Sequence, residues 1–218
     1  MDHRKYKLVI FDVDGTLLDT SEGLLNSTIY TIRQLGYGMP SQDVLCSFIG
    51  PRIQDSFHRV YGLTGEELDR AATVFRNHYK EGDVLLAKPY DGVYEILEWM
   101  KKKGMHIAVA TNKRQDFVEE LMGKYEFNSY NELVCGTDLE GKLQKADLIR
   151  MCIQGFSDCR TDEVVMIGDS SYDAIAAQDV GIDFIGVTYG FEFHTEEDVR
   201  RWTNIGIVDS LMMLKEKI

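Results

Sequence analysis

The sequence predicts an α/β protein with a central parallel sheet and an all-helical domain inserted near the N-terminus. Three observations lead to this prediction. Short apolar runs rich in β-branched residues recur along the chain, helical patterns alternate with them from residue 88 onward, and residues 20–87 contain helical patterns only. We therefore expect a core of residues 1–18 and 88–218 and an inserted helical domain of residues 19–87.

The apolar runs are too short for helices and too continuous for strands with one solvent-exposed face. This pattern is typical of strands that are buried on both sides. Right-handed crossovers through the intervening helices give a three-layer, Rossmann-like core. The predicted strands are Leu8–Phe11, Ile107–Ala110, Leu133–Cys135, Val164–Ile167 and Phe184–Val187.

The helical patterns have recognisable ends. The clearest core helix runs from Asp91 to Lys103, with Pro89 before it and a glycine after it. Because the inserted domain directly follows the first strand, we expect it to sit over the carboxyl edge of the sheet, where open α/β sheets bind ligands. Its predicted helices are Glu22–Leu35, Arg52–Tyr61 and Glu66–Lys80.

The composition excludes several classes of function. The 218 residues include 36 acidic and 24 basic ones, for a net charge of −12, which argues against a nucleic-acid or anionic-membrane partner. The charged start of the chain leads into only the four-residue apolar run Leu8–Phe11, too short for a signal-peptide core or a membrane span. We therefore expect a cytoplasmic protein that is a monomer or weak homodimer.

The four cysteines show no paired metal-ligand spacing, and a chain with an ordinary core needs no disulfide framework. We interpret them as reduced, buried thiols. We interpret His106, at the start of a predicted strand, as a packed or exposed side chain rather than a catalytic one. The cysteines are Cys46, Cys135, Cys152 and Cys159.

The most informative stretch follows the first predicted strand. Asp12 and Asp14 leave the strand two positions apart and point the same way in extended geometry. Two crowded carboxylates favour a cation between them. Gly15 permits a tight turn whose amides face an anion, with Thr16 beside it, although Asp-Gly is also an ordinary turn pair.

A second carboxylate pair repeats this pattern. Gly168 and Asp169 follow the strand Val164–Ile167, and Asp173 comes four residues later. Because parallel strands end at a common edge, Asp12, Asp14 and Asp169 are expected to meet there. Such an oxygen-rich site suits Mg²⁺.

Two further segments supply polar side chains at strand exits or helix starts. Thr111 and Asn112 end the second predicted strand, where the alternative is simple capping of the next helix. Lys145 opens the helix after the third strand and is within reach of the same edge, although a lysine there is more often solvated.

Taken in order, these segments resemble the motifs of the haloacid dehalogenase-like phosphatase superfamily, within it the phosphoglycolate phosphatase-like group with a helical cap. Asp12 to Thr16 matches the first motif, Thr111 the second, Lys145 the third, and Gly168 to Asp173 the fourth. Many members have Lys-Pro at the third motif. Here Ala146 follows Lys145, and Lys142 competes for the assignment.

The resemblance implies a Mg²⁺-dependent phosphatase. Asp12 would attack a phosphomonoester and form an aspartyl-phosphate, and Asp14 would act as general acid and then base. Thr111 and Lys145 would hold the phosphoryl oxygens. The metal ligands would be Asp12, the Asp14 carbonyl, Asp169 and, through water or a second shell, Asp173.

The resemblance also implies that substrate contacts come from Gly15, Asn112 and the cap. Arg52 follows a Gly-Pro turn in the predicted cap, where its guanidinium could bind a carboxylate or second phosphate of the leaving group. A solvated, loop-capping arginine is the alternative. The expected partner is a small phosphorylated metabolite. The competing functions are a sugar-phosphate mutase, a 5'-nucleotidase-type phosphatase and, least favoured, a non-catalytic binding protein.

Overall fold

The computed structural model describes residues 6–139 and 142–218. Residues 1–5, on which part of the expectation about the start of the chain rests, lie outside this range. The chain divides into two compact units. One comprises the residues up to Leu18 together with Pro89–Ile218, and the other comprises Asp19–Lys88.

The first unit contains a six-stranded, all-parallel sheet, which confirms the predicted fold class. Its order is β5-β4-β1-β6-β7-β8, so β1 lies between β4 and β6. Two short strands, β2 (Leu18–Asp19) and β3 (Lys88–Pro89), pair separately. The sheet strands are β1 (Leu8–Phe11), β4 (His106–Arg114), β5 (Leu133–Thr137), β6 (Val164–Gly168), β7 (Asp183–Val187) and β8 (Gly206–Val208).

Helices cover the sheet on both faces, as alternating side-chain directions require for strands without a polar face. Leu8 and Ile10 of β1 are fully buried in a cluster that also contains residues of helices α7 (Lys145–Gln154) and α8 (Ser171–Val180). Val9 and Phe11 alternate with them along the strand and point to the other layer. The helices of this unit are α5 (Val93–Lys102), α6 (Gln115–Lys124), α7 (Lys145–Gln154), α8 (Ser171–Val180) and α9 (Glu196–Arg200).

The second unit is helical apart from its end residues Asp19 and Lys88, which belong to the short strands β2 and β3. Its helices are α1 (Ser21–Gln34), α2 (Gln42–Cys46), α3 (Ile53–Tyr61) and α4 (Gly65–Lys80), followed by the 3₁₀ turn Asp83–Leu85. Phe57, Phe75 and Tyr79 are buried, and Phe57 packs edge-on against Phe48. Within the described ranges, none of the helices combines the length and apolar character that a membrane span needs.

Strand β4 is longer than predicted because it continues through an irregularity. Thr111 pairs with Gly136 and Arg114 pairs with Thr137, so three steps along β4 match one step along β5. Such bulges redirect side chains. Gly136 makes the close approach possible, because a Cβ there would lie 2.7 Å from the Lys113 carbonyl oxygen and 2.8 Å from the Gln115 Cα.

We predict that Gly136→Ala destabilises the fold by about 1–3 kcal/mol, since backbone atoms cannot move aside as a flexible side chain would. The matched control is Gly123→Ala in α6, where the nearest atom to a Cβ lies 4.0 Å away. Alanine there is expected to be neutral or stabilising by up to about 1 kcal/mol. Urea unfolding measures both variants, and equal stability of the two would contradict the role given to Gly136.

Candidate active site

The buried charged side chains of the described residues form a single cluster. Six are buried, four aspartates and two lysines, and all lie at or beside the carboxyl ends of β1, β4 and β6. Burial of a charge is costly unless it is paired. Their gathering at the edge where parallel sheets bind ligands therefore marks the candidate active site. They are Asp12, Asp14, Lys113, Lys145, Asp169 and Asp173.

The first two carboxylates are held where the central strand ends. The Asp12 amide donates to the Ile167 carbonyl, and the Val13 amide donates to Asp12 Oδ1 at 2.7 Å. Gly15 then adopts φ +80°, which an L side chain rarely does. Its amide donates to the Leu18 carbonyl at 2.9 Å, so the turn uses internally the amide that we expected to face an anion.

Lys145 connects the cluster. Its Nζ lies 2.9 Å from Asp12 Oδ1 and 2.8 Å from Asp173 Oδ1, and it donates to the Ala110 carbonyl at 3.1 Å. These contacts hold the ammonium group in one position between β1, β4 and α8. Lys142, its competitor for the third motif, is exposed.

Asp169 is fixed at the end of β6 by the loop after β7. It accepts from the Phe191 amide at 2.6 Å and from the Thr16 hydroxyl at 3.3 Å. A Cβ at either Gly15 or Gly190 would collide with the Asp169 side chain. Glycine at both positions therefore allows two backbone segments to close around this carboxylate.

Asp173 belongs to the first turn of α8. Its Oδ2 accepts from the Ser170 hydroxyl at 2.6 Å and from the Ser170 amide at 3.2 Å, and its Oδ1 faces Lys145. Ser170 in turn caps the helix by accepting from the Asp173 amide. Asp173 therefore orients Lys145 in addition to adding a negative charge.

The bulged end of β4 contributes Thr111, Asn112 and Lys113. Thr111 is buried, Asn112 is half-buried, and the Thr111 hydroxyl accepts from the Lys113 amide at 3.3 Å. Lys113 Nζ lies 3.1 Å from Asp14 Oδ1. Sequence reasoning assigned no function to Lys113. Its position two residues after Thr111, on the same side of an extended strand, was the available signal.

The electrostatics show an excess of negative charge. The pKa of Asp12 is raised from 3.8 to about 7, chiefly by burial; Lys145 opposes the rise, and repulsion from Asp173 and Asp14 adds to it. Burial likewise raises the pKa of Asp169 well above its ordinary value. Burial alone lowers the pKa of Lys145, but Asp12 and Asp173 outweigh it and raise that pKa overall.

The cluster fits a divalent cation. Asp12, Asp169 and Asp173 each offer a carboxylate oxygen, and these oxygens lie within 4.8 Å of one another. With all four carboxylates ionised, the aspartates outnumber the two lysines by two, which leaves a deficit of two positive charges in the buried set. Carboxylate oxygens are the ligands that Mg²⁺ prefers, so the donor set and the charge both fit this ion.

Arg52 lies in the helical unit, at the residue before α3, and pairs with Asp55 through Nε at 2.8 Å and Nη2 at 3.1 Å. Its role in substrate binding remains a prediction.

The cysteines are free, as expected, but the expectation that all four are buried is wrong. Cys46 is exposed and Cys159 is half-buried, while Cys135 and Cys152 are buried.

Comparison with known proteins places this geometry among hydrolases. The model of the haloacid dehalogenase-like hydrolase family matches residues 9–187. The chain is 30% identical to a 5'-nucleotidase of Pseudomonas aeruginosa over 90% of this chain and 88% of that protein. It is 34% identical to a phosphoglycolate phosphatase of Thiobacillus denitrificans over 85% of this chain and 84% of that protein. The crystal structure of a predicted phosphatase from Clostridium acetobutylicum superposes with a TM-score of 0.90 at 32% identity, over 97% of each chain.

We predict that metal-free protein loses stability as pH rises. Between 3.8 and about 7, the folded chain retains a proton on Asp12 that the unfolded chain has released, so the free energy of unfolding falls across this window. Thermal melts in EDTA between about pH 5 and pH 8 measure the fall, and Asp12→Asn is expected to reduce it. Added Mg²⁺ should also reduce this fall in the free energy of unfolding. A wild-type pH dependence in EDTA that matches that of Asp12→Asn would contradict the prediction.

Proposed function

This chain belongs to the haloacid dehalogenase-like hydrolase family, and we propose that it is a Mg²⁺-dependent phosphatase that hydrolyses a small phosphomonoester through an aspartyl-phosphate. The family resemblance drawn from the motifs is thereby confirmed. The observation that carries the proposal is the buried cluster in which Asp12 lies between Lys145 and two further carboxylates. That arrangement offers an anionic nucleophile beside positive charge.

In the first half-reaction, an oxygen of Asp12 attacks phosphorus, the new Asp12–phosphorus bond forms, and the bond from phosphorus to the ester oxygen breaks. Asp14 donates a proton to the departing alkoxide. Lys145 reduces the repulsion between an anionic nucleophile and an anionic substrate. Thr111 and Asn112 are the proposed contacts of the phosphoryl oxygens at the end of β4.

In the second half-reaction, Asp14 removes a proton from water, the water oxygen bonds to phosphorus, and the Asp12–phosphorus bond breaks to release inorganic phosphate. Asp12, Asp169 and Asp173, with the Asp14 carbonyl, would hold Mg²⁺. When bound, that ion supplies positive charge against the charge on the phosphoryl oxygens. Asp173 also keeps Lys145 in place.

We further propose that Lys113 positions Asp14. The two side chains are buried and 3.1 Å apart, so the ammonium group restrains the carboxylate on which both proton transfers depend. A lysine in this position acts through Asp14 and need not touch the substrate.

The substrate class proposed is a small phosphorylated metabolite, with phosphoglycolate as the first candidate and nucleoside monophosphates as the second. The names of two relatives, a phosphoglycolate phosphatase and a 5'-nucleotidase, support these candidates. Phosphoglycolate comes first because the phosphoglycolate phosphatase is 34% identical to this chain and the 5'-nucleotidase 30%. A sugar-phosphate mutase, which uses the same aspartate pair, is the competing function.

Four expectations remain predictions: the cytoplasmic location, the monomer or weak homodimer, the lack of a nucleic-acid partner and the lack of a membrane partner.

The central prediction is that the protein releases inorganic phosphate from a generic aryl phosphate and from a metabolite panel only with Mg²⁺ present. Asp12→Asn is expected to lower kcat by at least about a thousandfold, because the amide oxygen is a poor nucleophile. A phosphate-release assay measures both. Isomerisation of sugar phosphates without stoichiometric phosphate release would favour the mutase instead. Full activity of Asp12→Asn would exclude the covalent mechanism.

Lys113→Met is expected to lower kcat by about tenfold or more with little change in KM, since proton transfer suffers and ground-state binding does not. Lys113→Arg should restore part of the loss by keeping the charge. Lys142→Met, at an exposed lysine, is the matched control and should stay within about twofold of wild type. Equal activity of the Lys113→Met and Lys142→Met variants would remove Lys113 from the mechanism.

Arg52→Ala is expected to raise KM by about tenfold for phosphomonoesters whose leaving group carries a second negative charge, through loss of a charge-assisted hydrogen bond. KM for neutral leaving groups should not change. Steady-state kinetics on matched charged and neutral substrates measure the difference. Equal effects on the two series would leave Arg52 as a structural partner of Asp55.

A further inference from the structure

A second cluster of potential ligands lies at the amino ends of the strands, away from the carboxyl ends where the aspartates gather. His106 is the first residue of β4, and Asp158 and Cys159 precede the 3₁₀ turn Thr161–Glu163 that leads into β6. We propose that His106, Asp158 and Cys159 form a zinc-binding site.

The distances suit one small ion. One ligand atom from each residue lies within 4.8 Å of the other two. His106 Nε2 is 3.5 Å from Asp158 Oδ2, and Cys159 Sγ is 3.9 Å from Asp158 Oδ1. A tetrahedral Zn²⁺ with bonds of about 2.0–2.3 Å separates its ligand atoms by about 3.3–3.6 Å. Small side-chain rotations would therefore complete the site.

The histidine is already oriented as a metal ligand would be. Its Nδ1 lies 2.9 Å from both carboxylate oxygens of Glu132, a residue outside the ligand set. Metal-binding histidines commonly donate their other ring N–H to a carboxylate, which fixes the tautomer and increases the basicity of the free nitrogen. The Phe156 ring, with its centroid 4.6 Å from that of His106, packs against the imidazole. Nε2 is thereby directed at Asp158.

The ligand types select zinc over the ion proposed for the active site. A thiolate and an imidazole suit Zn²⁺, whereas Mg²⁺ takes oxygen ligands. The charges of Asp158 and a Cys159 thiolate would neutralise a divalent ion. Asp158 is exposed and the other two ligands are half-buried, so solvent can provide the fourth ligand.

Lys7 stabilises the loop that carries Asp158 and Cys159. Lys7 Nζ donates to the Asp158 carbonyl at 3.2 Å and pairs with Glu163 at 3.1 Å. Zinc bound here would join this loop to His106 at the start of β4. Through the contact between His106 and Glu132, it would also join the loop to the residue before β5. The site is structural, and it is independent of the phosphatase proposal because it shares no residue with the active-site cluster.

Co²⁺ titration of the purified full-length protein under reducing conditions, with Mg²⁺ in excess, tests the site. A near-ultraviolet thiolate-to-cobalt charge-transfer band is expected to saturate at one Co²⁺ per chain and to disappear when Zn²⁺ is added. Cys159→Ser should abolish the band, and Asp158→Asn should weaken Co²⁺ binding about tenfold or more. Cys46→Ser, which removes an exposed thiol elsewhere, is the matched control and should keep it.

Thermal melts provide a second readout. Zn²⁺ at about a hundredfold excess over its Kd should raise the Tm of wild type and Cys46→Ser by about 5 °C more than that of Cys159→Ser. Circular dichroism of the metal-free variants checks that they fold. The proposal is wrong if no band forms, if the band survives in Cys159→Ser, or if it depends on Cys46. The cluster would then be an ion pair of His106 with two carboxylates.

Discussion

The structure depends on the burial of four aspartates and two lysines at one edge of a parallel sheet. Charges removed from water are stable only when they are paired and hydrogen-bonded, and removing one partner of such a set is strongly destabilising. Lys145 and Lys113 compensate part of the negative charge through Asp12, Asp173 and Asp14. The remaining deficit is what a bound divalent ion would supply.

The fold makes this cluster possible by placing β1 between β4 and β6. Three parallel strands then end side by side, and each delivers its polar residues to one edge. Glycine is required where these segments come close, at Gly15 and Gly190 around Asp169 and at Gly136 under the bulge of β4. The sheet therefore determines which residues meet, and the glycines determine how closely they approach.

Much of this could be predicted from the sequence, because buried parallel strands are continuous apolar runs and because aspartates at their ends have a short, ordered spacing. Strand β8 was missed since Gly206–Val208 is too short to show a pattern, and α2 for the same reason. Lys113 was missed because its two-residue spacing from Thr111 was the only signal, and the bulge that places it beside Asp14 cannot be recognised in the local sequence. The His106 cluster was missed because His106 is distant in sequence from the adjacent Asp158 and Cys159 and meets them only in the fold.

Calorimetric titration of the metal-free protein with Mg²⁺ tests the charge deficit most directly. The account predicts one Mg²⁺ bound per chain by wild type. It also predicts loss of that binding in Asp169→Asn, which removes one carboxylate from the cluster and halves the deficit. If wild type bound no Mg²⁺, or if Asp169→Asn bound it with unchanged affinity, the buried cluster would not be a metal centre. Either result would contradict the proposed Mg²⁺-dependent reaction at Asp12.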